Sequence, residues 1–207
     1  MPRLLFVRHG RTTWNAEGRV QGGGVLDEVG LAQAAALGVR LRDEPLTAAY
    51  ASPFPRTRQT ANIVVGHHGL RVGLLPLLRD LDYGRFAGAL LSEVRQDAPG
   101  LWDRWRDAPH TIHFAGGESL ADLRVRIERA IAIVVERHPV GSILCVTHDS
   151  PARIVVSLAL GLDDSHHNDA DLVTPLASLT VVEVGPQGMR LEVRQDAAHL
   201  EGIDARA

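Results

Sequence analysis

The run Leu4-Leu5-Phe6-Val7 passes without a break into Arg8-His9-Gly10. A short, continuously apolar run has no polar face to offer water, so it reads as a strand buried on both sides of a sheet. Gly10 permits a sharp exit turn, because it carries no side chain to obstruct one. Arg8 and His9 are thereby predicted at the carboxyl end of an inner strand, where open α/β sheets bind their ligands. The rest of the chain is then to be searched for partners of that histidine.

The 207 residues, 45% of them hydrophobic and 23% charged, are enough for one substantial core. We read residues 1–207 as a single domain with an insertion or cap at about 84–117. A net charge of −3 gives no reason to expect a nucleic-acid or anionic-membrane partner. The lone cysteine, Cys145, excludes an intrachain disulfide and suits a reducing compartment. Leu4–Val7 is too short for a signal-peptide core, and no apolar run approaches a membrane span, so a soluble, cytoplasmic protein is expected.

Strands and helices alternate along the chain. Leu31, Ala34, Leu37, Gly38 and Leu41 form a helical stripe that ends before Pro45, and Leu46–Ala51 reads as a second strand. Ser52-Pro53-Phe54-Pro55 opens a helix carrying Arg56-Thr57-Arg58-Gln59-Thr60-Ala61 and stopping near Gly66. Leu70–Leu78 is strand-like and exits through Arg79-Asp80-Leu81-Asp82-Tyr83-Gly84. The stretch to about Gly117 holds Pro99, Pro109, Trp102 and Trp105 with no clear strand, and reads as helical or irregular material over the sheet edge. The two tryptophans are expected in packing.

Ser119-Leu120-Ala121-Asp122 has the form of a capping box ahead of an amphipathic helix running to His138-Pro139. Ser142–Thr147 is a further buried strand that also ends on a histidine, His148, and a helix follows from about Ser150 to Leu160. Ser178–Val184 and Met189–Arg194, joined by Gly185-Pro186-Gln187-Gly188, form an edge hairpin. The predicted fold is a three-layer α/β/α sandwich with a mainly parallel sheet, an edge hairpin and a helical insertion over the carboxyl edge. Those edge strands leave pairing into a homodimer open.

Four segments therefore leave strand ends with polar cargo: Arg8-His9, the helix start at Arg56, the Asp80 loop and His148. Two arginines and two histidines suit a phosphoryl group. Guanidinium forks match phosphate oxygens, a neutral imidazole is nucleophilic, and an acid can protonate a leaving oxygen. Positioning and charge stabilisation of this kind need no metal. The pairs His67-His68 and His166-His167, the latter among Asp163, Asp164, Asp169 and Asp171, lack chelating spacing and are expected in solvated loops. No cofactor or metal is expected. Cys145 reads as an inert, buried small hydrophobe, and Arg11 and Arg58 as lying outside the innermost shell.

At these residues the sequence resembles the histidine phosphatase superfamily, the phosphoglycerate mutase-like proteins. The resemblance rests on five blocks in order: Leu-Phe-Val-Arg8-His9-Gly10-Arg-Thr-Thr-Trp-Asn15, Arg56–Ala61, Leu78–Gly84, Gly116-Gly117-Glu118-Ser119 and Val146-Thr147-His148. It implies His9 as the nucleophile that becomes a phosphohistidine. Arg8, Arg56 and His148 would hold the phosphoryl oxygens, and Asn15 and Gln21 would be further hydrogen-bond donors. Asp80 stands where most members carry a glutamate acting as general acid. One methylene shorter, its carboxyl retreats by on the order of 1 Å, a misplacement that can cost about a hundredfold in rate. We expect the loop to compensate, the alternatives being Asp82 as the acid or a preference for good leaving groups. Asp149 replaces a common glycine and is expected to point away from a phosphate pocket, where it would repel the ligand.

The implied activity is hydrolysis of a small phosphorylated metabolite, a phosphomonoester. The segment Asp80-Leu81-Asp82-Tyr83-Gly84 lacks the arginine that the mutases of this group carry. Mutase-type transfer is the alternative, and a non-catalytic phospho-ligand binder a third reading.

Overall fold

The computed structural model describes residues 1–20 and 23–203. Six strands form one sheet in the order β3-β2-β4-β1-β5-β6. They are β1 (Pro2–Arg8), β2 (Leu46–Ala51), β3 (Val72–Leu74), β4 (Gly141–Thr147), β5 (Leu179–Gly185) and β6 (Gly188–Asp196). The four strands from β3 to β1 run parallel, while β5 and β6 join antiparallel as the expected edge hairpin.

Alternation along β1 divides the interior. Leu4 and Phe6 pack with Ile143 and Cys145 on one face, and Leu5 and Val7 with Leu144 and Val146 on the other. The first face is covered by α6 (Leu120–Arg137) and α7 (Asp149–Leu160), and the second by α2 (Glu28–Leu41) and α3 (Pro55–Val65). This is the three-layer α/β/α arrangement the sequence predicts. Burial pushes the Cys145 thiol up to about 12, as suits an inert core residue.

Several boundaries differ from the sequence reading. Helix α2 begins three residues early, because the Asp27 carboxylate caps it by accepting from the Gly30 N–H at 2.8 Å. A one-turn helix, α1 (Thr13–Ala16), was not expected; it forms on a Thr12/Asn15 capping box. The predicted strand Leu70–Leu78 shrinks to Val72–Leu74. Pro76 cannot donate to a ladder, and the chain turns into a 3₁₀ segment, Pro76–Leu78, that buries Leu78 in the core. Residues 84–117 hold two short helices, α4 (Leu91–Asp97) and α5 (Leu101–Asp107), and no strand of the sheet. His167 does not lie in a solvated loop. It is buried against Trp105, with ring centroids 5.6 Å apart.

The parallel alignment brings the strand exits to one level. His9 N–H donates to Thr147 O at 3.0 Å and Ser52 N–H to Val146 O at 3.1 Å. The Thr147 hydroxyl donates to Leu78 O at 2.7 Å, which ties the loop leading to Asp80 to the same edge. Beneath this edge the first turn of α2 presses on the chain just after His9. A Cβ on Gly30 would overlap the Arg11 carbonyl, and one on Gly10 would overlap the Gly30 carbonyl. Both contacts are with backbone, so neither can yield by a side-chain rotation. Gly30→Ala is expected to destabilise by about 1–3 kcal/mol. That lowers the thermal midpoint by roughly 2–4 °C per kcal/mol in a chain of this size, which a thermal melt reads directly.

Candidate active site

The loops at the carboxyl edge enclose a cavity of about 260 Å³ lined by, among others, Arg8, His9, Asn15, Arg56 and Asp80. His9 and Arg56 are almost wholly buried, and His148 is completely so. The two imidazoles meet edge to face, with centroids 5.2 Å apart.

Fixed donors and acceptors settle the tautomers. His9 Nδ1 lies 2.8 Å from Gly10 O, which can only accept, so the proton sits on Nδ1. The lone pair is then on Nε2, and it accepts from Arg56 Nε–H at 3.0 Å. On His148 the order is reversed. Arg56 Nη2 can only donate and approaches Nδ1 at 3.0 Å, so the proton lies on Nε2, which donates to Ser52 Oγ at 2.8 Å. One guanidinium therefore addresses the lone pairs of both rings. Burial, then the Arg56 and Arg8 cations, hold His9 well below the ordinary histidine value; burial, Arg56 and His9 do the same for His148. Both rings are neutral at physiological pH.

Arg8 is anchored by donating Nη1–H to Thr174 O at 2.6 Å, with Asp149 Oδ1 at 3.5 Å. Its Nε is buried with no hydrogen-bond partner among the described residues. Asn15 Oδ1 accepts from the Thr12 N–H at 3.1 Å, and this fixes the amide orientation. The NH₂ half of the amide is then the half left for the cavity that Asn15 lines. Gln21 lies outside the described residues. Neither Arg11 nor Arg58 lines the cavity.

Asp80 reaches the site. Its Oδ2 is 3.8 Å from Arg56 Nη2 and 3.9 Å from His148 Nδ1. Burial raises its carboxyl to about 6, against the lowering pull of Arg56 and with a small upward push from Asp149. Asp82, the alternative acid, is exposed and turned to its own loop, where Oδ1 accepts from Gly84 N–H at 2.9 Å.

Asp149 corrects the sequence reading, because it lines the cavity instead of pointing away. Burial alone would raise its carboxyl, but Arg8 and Arg153, the latter at 2.9 Å, hold it below the usual range. The repulsion a carboxylate would exert on a phosphate is thus offset by two guanidiniums. Trp105 packs in the core and Trp102 against it, as expected, and Trp102 also lines the cavity wall with Trp14, Tyr83, Leu91 and Arg19. Ser52 also went unnoticed in the sequence, although it leaves a strand end as His9 and His148 do.

Against known proteins, the sequence model of the histidine phosphatase superfamily (branch 1) matches residues 4–197. The chain belongs to that superfamily. It is 35% identical over 167 residues to phosphoserine phosphatase 1 of Hydrogenobacter thermophilus, covering 79% of this chain and 78% of that one. It is 30% identical over 206 residues to a probable phosphoglycerate mutase, GpmB, of Erwinia tasmaniensis, covering 97% and 96%. Among solved histidine phosphatase-like structures, YhfR of Bacillus stearothermophilus superposes with a TM-score of 0.93 at 30% identity, over 97% of this chain and all (100%) of that one. A mycobacterial glucosyl-3-phosphoglycerate phosphatase solved with VO3 gives 0.85 at 25% identity, over 94% and 99%.

The Asp80 carboxyl has a sign-definite effect on stability. Its folded pKa is raised, so folding favours the neutral form. The stability this group contributes is complete below its unfolded value and is lost as pH rises through about 6. Asp80→Asn should therefore be more stable than wild type at pH 8, by on the order of 3 kcal/mol. That difference should vanish near pH 3, as paired denaturant titrations at the two pH values will show.

Proposed function

We propose that this chain hydrolyses a small phosphomonoester through a phosphohistidine on His9. The observation that carries the reading is the His9 tautomer. Gly10 O holds the proton on Nδ1, so Nε2 meets the cavity as an unprotonated nucleophile beside two arginines.

In the first step the Nε2 lone pair forms a bond to phosphorus, and the bond from phosphorus to the ester oxygen breaks. Asp80 gives its proton to the departing alkoxide, for which a carboxyl titrating near 6 is suited at neutral pH. In the second step water attacks phosphorus and the Asp80 carboxylate takes its proton. The N–P electron pair then returns to Nε2. Arg56 moves its Nε–H from the imidazole to a phosphoryl oxygen when the ligand enters, and Arg8 Nε finds its partner there. Charge that a metal would supply elsewhere comes here from guanidinium groups. His148 accepts at Nδ1 without ligand and must donate there to an oxygen. The Ser52 hydroxyl serves either state, since it can accept from or donate to Nε2.

Relatives named phosphatases support hydrolysis. The relative named a probable mutase supports the second reading, return of the phosphoryl group to a bound acid. Against that reading, Leu81 stands where the mutases of the group carry arginine.

A rapid alkaline denaturing quench with a ³²P-labelled substrate should find acid-labile label on His9, and His9→Ala should abolish it. Asp80→Asn should lower kcat/KM for an alkyl phosphate by about 10²–10⁴-fold and remove the fall in rate above pH 6. Label on another residue sinks the assignment, and transfer to added 3-phosphoglycerate in preference to water would replace hydrolysis with the mutase reading.

A further inference from the structure

The Gly116-Gly117-Glu118-Ser119 block is only partly explained by the cap that Ser119 places on α6, where its hydroxyl accepts from Asp122 N–H. Glu118 has another task. Its carboxylate meets Arg126 as a fork on a fork, with Arg126 Nε to Oε1 at 2.8 Å and Nη2 to Oε2 at 2.6 Å. Three further N–H groups of the same guanidinium go to main-chain carbonyls. Nη1 donates to Leu77 O at 2.8 Å and Arg79 O at 2.7 Å, and Nη2 to Asp80 O at 2.9 Å. A guanidinium has five N–H donors, and here all five are used, three of them on the loop that carries Asp80.

Glu118 completes the grip from the other side. Its Oε2 accepts from Asp82 N–H at 3.1 Å, and its own N–H donates to Asp82 O at 2.8 Å. The two segments can lie this close because Gly117 has no Cβ, which would overlap the Asp82 carbonyl. Residues 77, 79, 80 and 82 are thus all held by one partly buried ion pair, whose arginine side chain is 10% and glutamate side chain 20% exposed. The grip leaves the Asp80 side chain free to face Arg56 and His148.

We propose that Arg126 and Glu118 are positioning residues that set the reach of Asp80 into the phosphoryl site and so make good its missing methylene. The proposal rests on Asp80 being the leaving-group acid, and it predicts a defect that depends on the leaving group. An aryl phosphate expels a stable phenolate and needs little protonation, whereas an alkyl phosphate needs the acid. Lysine, with three donors on a single nitrogen, cannot span the fork and the three carbonyls.

The test compares kcat/KM for 4-nitrophenyl phosphate and glycerol 3-phosphate in wild type, Arg126→Lys, Glu118→Gln and Asp80→Asn. This quantity reports formation of the phosphoenzyme. The expected result is a loss on glycerol 3-phosphate that exceeds the loss on 4-nitrophenyl phosphate by about tenfold or more in both clamp variants, since a displacement of 1 Å can cost about a hundredfold. Equal losses on both substrates would show a merely structural role and overturn the proposal. Glu118→Gln keeps the shape of the fork and provides the measurement if Arg126→Lys does not fold. Asp80→Asn separates the two claims. If it shows no dependence on the leaving group, the acid assignment fails; if it does and the clamp variants do not, only the clamp fails.

Discussion

One backbone carbonyl governs the chemistry of this site. Gly10 O can do nothing but accept, and by accepting from Nδ1 it leaves Nε2 of His9 without a proton. The carbonyl is where it is because the chain turns immediately after a buried parallel strand and is pressed from beneath by the first turn of α2. Burial then keeps the ring neutral, which an exposed histidine near its ordinary value would be only in part. Sheet topology, a close contact between glycines and the protonation state of one ring form a single causal sequence.

Charge in the cavity is balanced rather than simply positive. Arg8 and Arg56 face Asp80 and Asp149, and the two carboxylates have opposite fates. Asp149 stays ionised between two guanidiniums, whereas burial raises Asp80, farther from its cation, to about 6. Environments that push two acids apart allow one to carry a proton while the other only orients a neighbour. Asp149, at the start of α7, also lies 3.5 Å from Arg8 Nη1 and so ties that guanidinium to the helix.

Much of this was legible in the sequence, because strand exits are local signals. Leu4–Val7 and Ser142–Thr147 are each a buried run ending on a histidine, and a parallel sheet forces such ends together. Arg56 followed from a proline-led helix start. What stayed hidden depends on rotation and on distant segments. The inward turn of Asp149 is set by its i, i+4 pair with Arg153 on α7, and Trp14 and Trp102 sit on the short helices α1 and α5, which no long periodicity announces and which meet with Arg19 at the cavity. The Arg126 fork joins residues some forty to fifty positions away to one side chain on a surface-like helical register, so its five bonds had no signature in the pattern of α6. The shortened β3 was missed because its apolar run continues past Pro76, where the ladder has to stop.

The arrangement of tryptophans has a practical side. Of the three in the chain, Trp14 and Trp102 stand in the cavity wall, Trp14 under the Arg19 guanidinium at 5.4 Å, while Trp105 is sealed in the core. Two of the three tryptophans thus border the space a ligand must fill, and the third is an internal reference shielded from it. The molecule carries its own optical gauge of occupancy, and ligand entry can be followed by emission without attaching a dye.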